Sequence, residues 1–158
     1  MLLTNHVLSG ALIGALARRP VPAFAVGVAS HFALDAVPHW GDWGSRRRFL
    51  RVAVCDGLIS LAAAGAVAAI SSADRRPAVV AGMAGAALPD LDKPTVMWLD
   101  WSPFPRAVRR FHGDIQDEAR GRAPYEVLAA VACAAAVLLT LRRPRPAAMP
   151  MPTPAPGR

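Results

Sequence analysis

Five apolar segments, separated by sharp breaks, constrain this chain more than any other feature. They run about residues 2–17, 21–37, 49–70, 78–88 and 125–141. Alanine-rich runs such as 61–70 and 127–141 read as buried or membrane helices rather than strands. The breaks are Arg18-Arg19-Pro20, residues 38–45, Asp74-Arg75-Arg76-Pro77 and residues 89–94, all rich in helix-stopping chemistry. A helix crosses a bilayer with about 20 apolar residues. The third segment passes that test and the fifth nearly does. The others need tilt, local thinning or partial insertion. These lengths predict an all-α integral membrane bundle of four to five helices over residues 1–141. Residues 142–158 hold 6 of the 15 prolines and read as a disordered tail.

Composition agrees with this reading. The 158 residues are 54% hydrophobic, with a mean hydropathy of +0.31. The net charge is +7, but the arginines cluster between apolar segments, as in membrane-flanking loops, which argues against a nucleic-acid partner. Cys55 and Cys133 each lie in an apolar run and read as small helix residues without a disulfide. The N-terminal segment lacks a basic start and is interrupted by Asn5-His6, so no cleaved signal peptide is expected.

Short loops make the helices alternate in direction. The start of the first, the end of the second, the start of the third and the end of the fourth then share one end of the bundle. Those places hold His6; His31, Asp35 and His39; Asp56; and Asp90 and Asp92. His112 leaves the fourth segment at the same end, although the sequence assigns it no role. Trp40, Trp43, Trp98 and Trp101 fall there too, as an interfacial belt would. Two helical hairpins with matching spacing are also visible, since Asp35 follows Pro20 by the same 15 residues that separate Asp92 from Pro77. Loops at the polar end carry 10 Lys or Arg and the other end carries 8, a bias toward a cytoplasmic polar end of a cell-membrane protein.

The chemistry lies in SHFALDAVPHW, residues 30–40. His31 and Asp35 are one helical turn apart on one face, and His39 swings on the turn after Pro38. Imidazole and carboxylate are zinc ligands, and ionisable groups are costly inside apolar segments. Asp35 near a helix C-terminus also opposes the helix dipole, which calls for a compensating cation. In PDLD, Asp90 and Asp92 can point at one ion or bridge two. Asp56, between Cys55 and Gly57, needs a partner, a cation or protonation.

NHVLSGALIGAL, SHFALDAVPHW and ALPDLD resemble the membrane-bound metal-dependent hydrolases, a family of small multi-helix membrane proteins. The resemblance covers about residues 4–42 and 84–94. Lys93 stands where that family's Pro-Asp-x-Asp-His motif has its histidine, and FHGD only faintly echoes the second family motif. Residues and resemblance together predict a hydrolase of a phosphoester or related ester in or near the bilayer. Its ion is a divalent metal, zinc first, on His6, His31, Asp35, His39 and Asp92. Asp56 and Asp90 are the predicted catalytic carboxylates, and arginines 46–48 the candidate holders of an anionic headgroup. The competing expectation is a non-catalytic membrane scaffold or partner-binding protein whose His and Asp residues form a structural polar network.

Overall fold

The computed structural model describes residues 1–41 and 44–143. Trp43 and nearly all of the proline-rich tail lie outside the described residues. The chain is mostly helical. In order it forms α1 (Leu3–Ala17), α2 (Pro20–Asp35), α3 (Arg46–Ile70), α4 (Arg76–Ala87), a 3-10 turn (Leu88–Leu91), α5 (Asp92–Leu99), α6 (Arg106–Asp114) and α7 (Ala123–Arg142). Each of the five apolar segments thus becomes a helix, and α5 and α6 arise within the polar connection.

Local chemistry sets the boundaries. Arg18 ends α1 in the left-handed region with φ 59°, donating its N–H to the Gly14 carbonyl. Proline opens α2 and sits in the first turns of α4 and α7, where a missing N–H costs little. Ser45 caps α3 by accepting from the Arg48 N–H at 3.3 Å.

α4 packs chiefly on α1 and α2 and only lightly on α3. Small residues allow this. A Cβ on Gly10 would collide with the Gly82 carbonyl, and one on Gly27 would stand 2.6 Å from that same oxygen. The two sequence hairpins therefore interlock rather than stand apart, because backbones approach closely wherever side chains are absent. The apolar core joins Val7, Ala11 and Ala15 of α1 to Val67 of α3, Val79 and Met83 of α4, and Val137 of α7.

α3 and α7 are the two helices long and apolar enough to cross a membrane. Their apolar faces point away from the protein. Leu58, Ile59 and Leu61 of α3 and Val127, Leu128 and Val131 of α7 are exposed.

A two-residue parallel bridge completes the site end. β1 (His39–Trp40) pairs with β2 (Glu118–Ala119), in register His39 to Glu118. The Asp117 N–H also reaches the Asp35 carbonyl at 3.4 Å. This clip pins the segment after α6 to the end of α2, and with it His112.

Candidate metal centre

Asp35 is the hub. It is fully buried at the last residue of α2, where the helix dipole disfavours a negative charge. Donors from elsewhere surround it. Oδ1 lies 3.1 Å from His6 Nε2 and 2.9 Å from the Met1 amino group. Oδ2 lies 2.9 Å from His112 Nε2 and accepts from Gln116 Nε2 at 3.3 Å.

His31, one turn back on α2, aims into the same place. Its Nδ1 stands 2.7 Å from the Ala86 carbonyl. That oxygen is one of the last acceptors of α4, where helical donors run out. A carbonyl only accepts, so Nδ1 carries a proton and Nε2 is the ring nitrogen that faces the cluster. Backbone contacts of this kind fix the tautomer of metal-binding histidines. His6 stacks on the His31 ring with centroids 3.9 Å apart.

His31, Asp35, Asp90 and His112, all buried, form a group that can hold a metal ion, with one ligand atom from each lying within 4.8 Å of the others. His31 Nε2 is 3.0 Å from His112 Nε2, 3.3 Å from Asp35 Oδ2 and 3.7 Å from Asp90 Oδ1. His112 Nε2 is 3.7 Å from Asp90 Oδ1. Tetrahedral bonds of ~2.0–2.1 Å set ligand atoms about 3.3 Å apart. The separations scatter around that value, so this donor set can hold a small divalent cation.

Asp90 sits in the 3-10 turn after α4, and its Oδ1 has no aligned hydrogen-bond donor. The Lys93 ammonium lies 2.6 Å away as an ion pair. Burial pushes the Asp90 carboxyl up, but Lys93 and the neighbouring histidines more than offset this and hold it below its ordinary value. Burial likewise pushes Lys93 down, and the Asp90 carboxylate raises it above its ordinary value.

The other sequence candidates are not among these four. His6 touches Asp35 from the outside. His39 is buried, donates Nδ1–H to the Val37 carbonyl at 2.8 Å, and faces Glu118 with Nε2 at 3.9 Å. Asp92 pairs with Arg109 at 3.1 Å. Asp56 caps α1: it accepts from the Leu3 and Thr4 N–H groups, at 2.6 and 3.3 Å, and from the Thr4 hydroxyl at 2.5 Å. Several residues at this end had no role in the sequence reading, Met1 and Gln116 on Asp35 among them. His112 is brought in by the bridge, and Glu126 of α7 binds the Leu2 and Trp40 N–H groups, each at 3.2 Å, and the Asn5 amide. The one signal for His112 was its position at the shared bundle end.

Comparison of the chain with protein-family models, curated proteins and solved structures finds no match.

Proposed function

We propose that the chain is an integral membrane protein that holds one divalent ion, zinc, on His31, Asp35, Asp90 and His112, and works as a metal-dependent hydrolase on an ester or phosphoester at the bilayer surface. The observation that carries this is the orientation of the His31 ring. A backbone carbonyl holds the ring so that its Nε2 meets two carboxylates and a second imidazole at metal-ligand spacing. Such an ion supplies a Lewis acid and activates water. Asp90, expected from the sequence to be catalytic, serves here as a ligand whose Oδ1 also faces Lys93 at 2.6 Å. The family resemblance over residues 4–42 and 84–94 supports the hydrolytic reading.

The membrane part is supported by exposure. In the most apolar window of α3 only 17% is buried, and in that of α7 only 11%. The core helix of a water-soluble protein would be mostly covered. Lipid is the solvent that suits the exposed leucines and valines.

Metal analysis of the detergent-purified chain tests the site. The expected result is one ion per chain, lost in His31→Ala/Asp35→Ala; no stoichiometric metal, or equal metal in the variant, rejects it. Chelator-sensitive turnover of ester or phosphoester substrates tests the reaction.

One observation favours the scaffold reading. Asp35 already receives donors from Met1, His6, His112 and Gln116, so the network closes largely on itself. On that reading, substitutions in the cluster lower folding stability and no turnover exists to lose.

A further inference from the structure

Beside the His/Asp cluster lies an open cleft of about 490 Å³. Three cationic side chains from three elements line it, Arg46 of α3, Lys93 of α5 and Arg109 of α6, and two acids, Asp92 and Asp100, share the wall. Lys93 belongs to both places. Its ammonium lies 2.6 Å from Asp90 Oδ1, which is itself 3.7 Å from His31 Nε2 and from His112 Nε2. Lys93 therefore touches one of the candidate metal ligands directly.

Asp92 and Asp100 in the wall, with Asp90 on Lys93, match the three cations in number, so what the cleft offers an anion is its unused donors. Asp92 engages Arg109 through its Nε, at 3.1 Å, and leaves the other guanidinium hydrogens available. Lys93 keeps donors beyond the one facing Asp90. Arg46 is exposed and makes no ion pair among the described residues. The first turn of α3 adds positive charge. It holds Arg46, Arg47 and Arg48 and no acid, where the dipole is already positive.

The geometry suits a tetrahedral oxyanion better than a flat carboxylate, because donors arrive from three separate elements rather than as one bidentate fork. Phe49, Val96 and Met97 give the same cleft an apolar side, and Trp98, Leu99 and Trp101 beside it are exposed. We infer that this cleft seats a phosphate group, the anionic part of the substrate on which the neighbouring cluster acts, carried either by a lipid headgroup or by a soluble phosphoester. The inference rests on the hydrolase reading for its substrate role, and on the cleft alone for binding.

The test uses the full chain in detergent, stripped by chelator or reloaded with zinc. Inorganic phosphate binding is read by phosphorus NMR line broadening. Phosphatidic acid in phosphatidylcholine nanodiscs, compared with phosphatidylcholine alone, is read by lipid exchange. The metal-free protein is expected to bind one probe saturably. Arg46→Gln and Lys93→Met should each weaken binding roughly tenfold or more, the scale of a charge-assisted hydrogen bond. Lys93→Arg should retain it, and Arg19→Gln at the opposite end should leave it unchanged. Arg46 is a surface residue, so that variant separates lost binding from lost folding. Capture of the nanodisc lipid alone assigns the phosphate to a headgroup, and capture of free phosphate assigns it to a soluble ester. Wild-type protein that binds neither probe, or Arg46→Gln and Lys93→Met variants that bind like wild type, overturns the inference. Metal content of the same samples separates the two ideas: phosphate binding without stoichiometric metal keeps the cleft and rejects the hydrolase, and metal without phosphate binding does the reverse.

Discussion

At the scale of single residues, the cluster contains two grades of histidine. His31 and His112 present Nε2 to Asp35 Oδ2 and to each other, at the place where an ion would bind. His6 touches only the far oxygen, Oδ1, and stacks on His31. His31→Ala and His112→Ala should therefore abolish stoichiometric zinc, whereas His6→Ala should weaken it about 10–100-fold, as loss of an orienting partner does. Competition titration against a chelator of known affinity distinguishes the two; equal loss in all three variants would put His6 among the ligands. The two aspartates Asp35 and Asp92 make a second contrast. Asp35→Ala strips a buried hub and leaves its donors unpaired, at a cost of about 3–5 kcal/mol. Asp92→Ala removes one partner of an ion pair with the exposed Arg109, so its stability should change by about 1 kcal/mol or less and its metal should stay. Thermal melts with metal counts check both. The sequence displayed His31, Asp35 and Asp90 because their spacing is local. It did not display which of Asp90 and Asp92 turns inward, since a 3-10 turn followed directly by α5 decides that.

At the scale of elements, charged side chains close helix ends that their own helices leave open. Asp56 of α3 takes the first N–H groups of α1. At the opposite end, buried Arg75 donates to the carbonyls of Thr140, at 2.9 Å, and Arg143, at 3.0 Å, where α7 ends. Each charge has the sign that the facing dipole favours. Asp56→Ala should cost roughly 0.5–2 kcal/mol as a lost cap, and Arg75→Ala about 1.5–3 kcal/mol as lost charged hydrogen bonds. Hydrogen exchange should show the fraying confined to the start of α1 in the first variant and to the end of α7 in the second; protection lost evenly along the chain would contradict the capping argument. Such long-range caps explain what the sequence concealed. Apolar runs and Arg-Pro breaks announce α1 to α4 and α7 because they are local patterns. α5 and α6 carry no long apolar stripe and lie in a polar stretch. The bridge of His39 to Glu118 joins residues 79 positions apart with two residues on each side, too little for any strand signal. The sequence puts His112 only at the same bundle end as Asp35; the bridge brings the two together.

At the scale of the whole molecule, the bundle is polar inside at one end and apolar outside along its length. That inversion makes sense if α3 and α7 meet lipid. At ~1.5 Å per residue, the 25 residues of α3 extend about 37 Å and the 20 residues of α7 about 30 Å, against a hydrocarbon core of ~30 Å. α3 then carries Ser45 to one membrane face and Ser72 to the other, both exposed in the fold. The cluster end holds the larger share of Lys and Arg, so the expectation from that bias is Ser45 on the cytoplasmic side. This can be read by labelling. In a chain with Cys55 and Cys133 replaced by alanine, Ser72→Cys should react with a membrane-impermeant maleimide on intact cells, and Ser45→Cys only after permeabilisation. The reverse pattern would invert the orientation while leaving the span intact. Labelling of both cysteines on intact cells, or of neither until detergent is added, would mean that α3 does not cross, and the exposed faces of α3 and α7 would then need a protein surface rather than lipid to cover them.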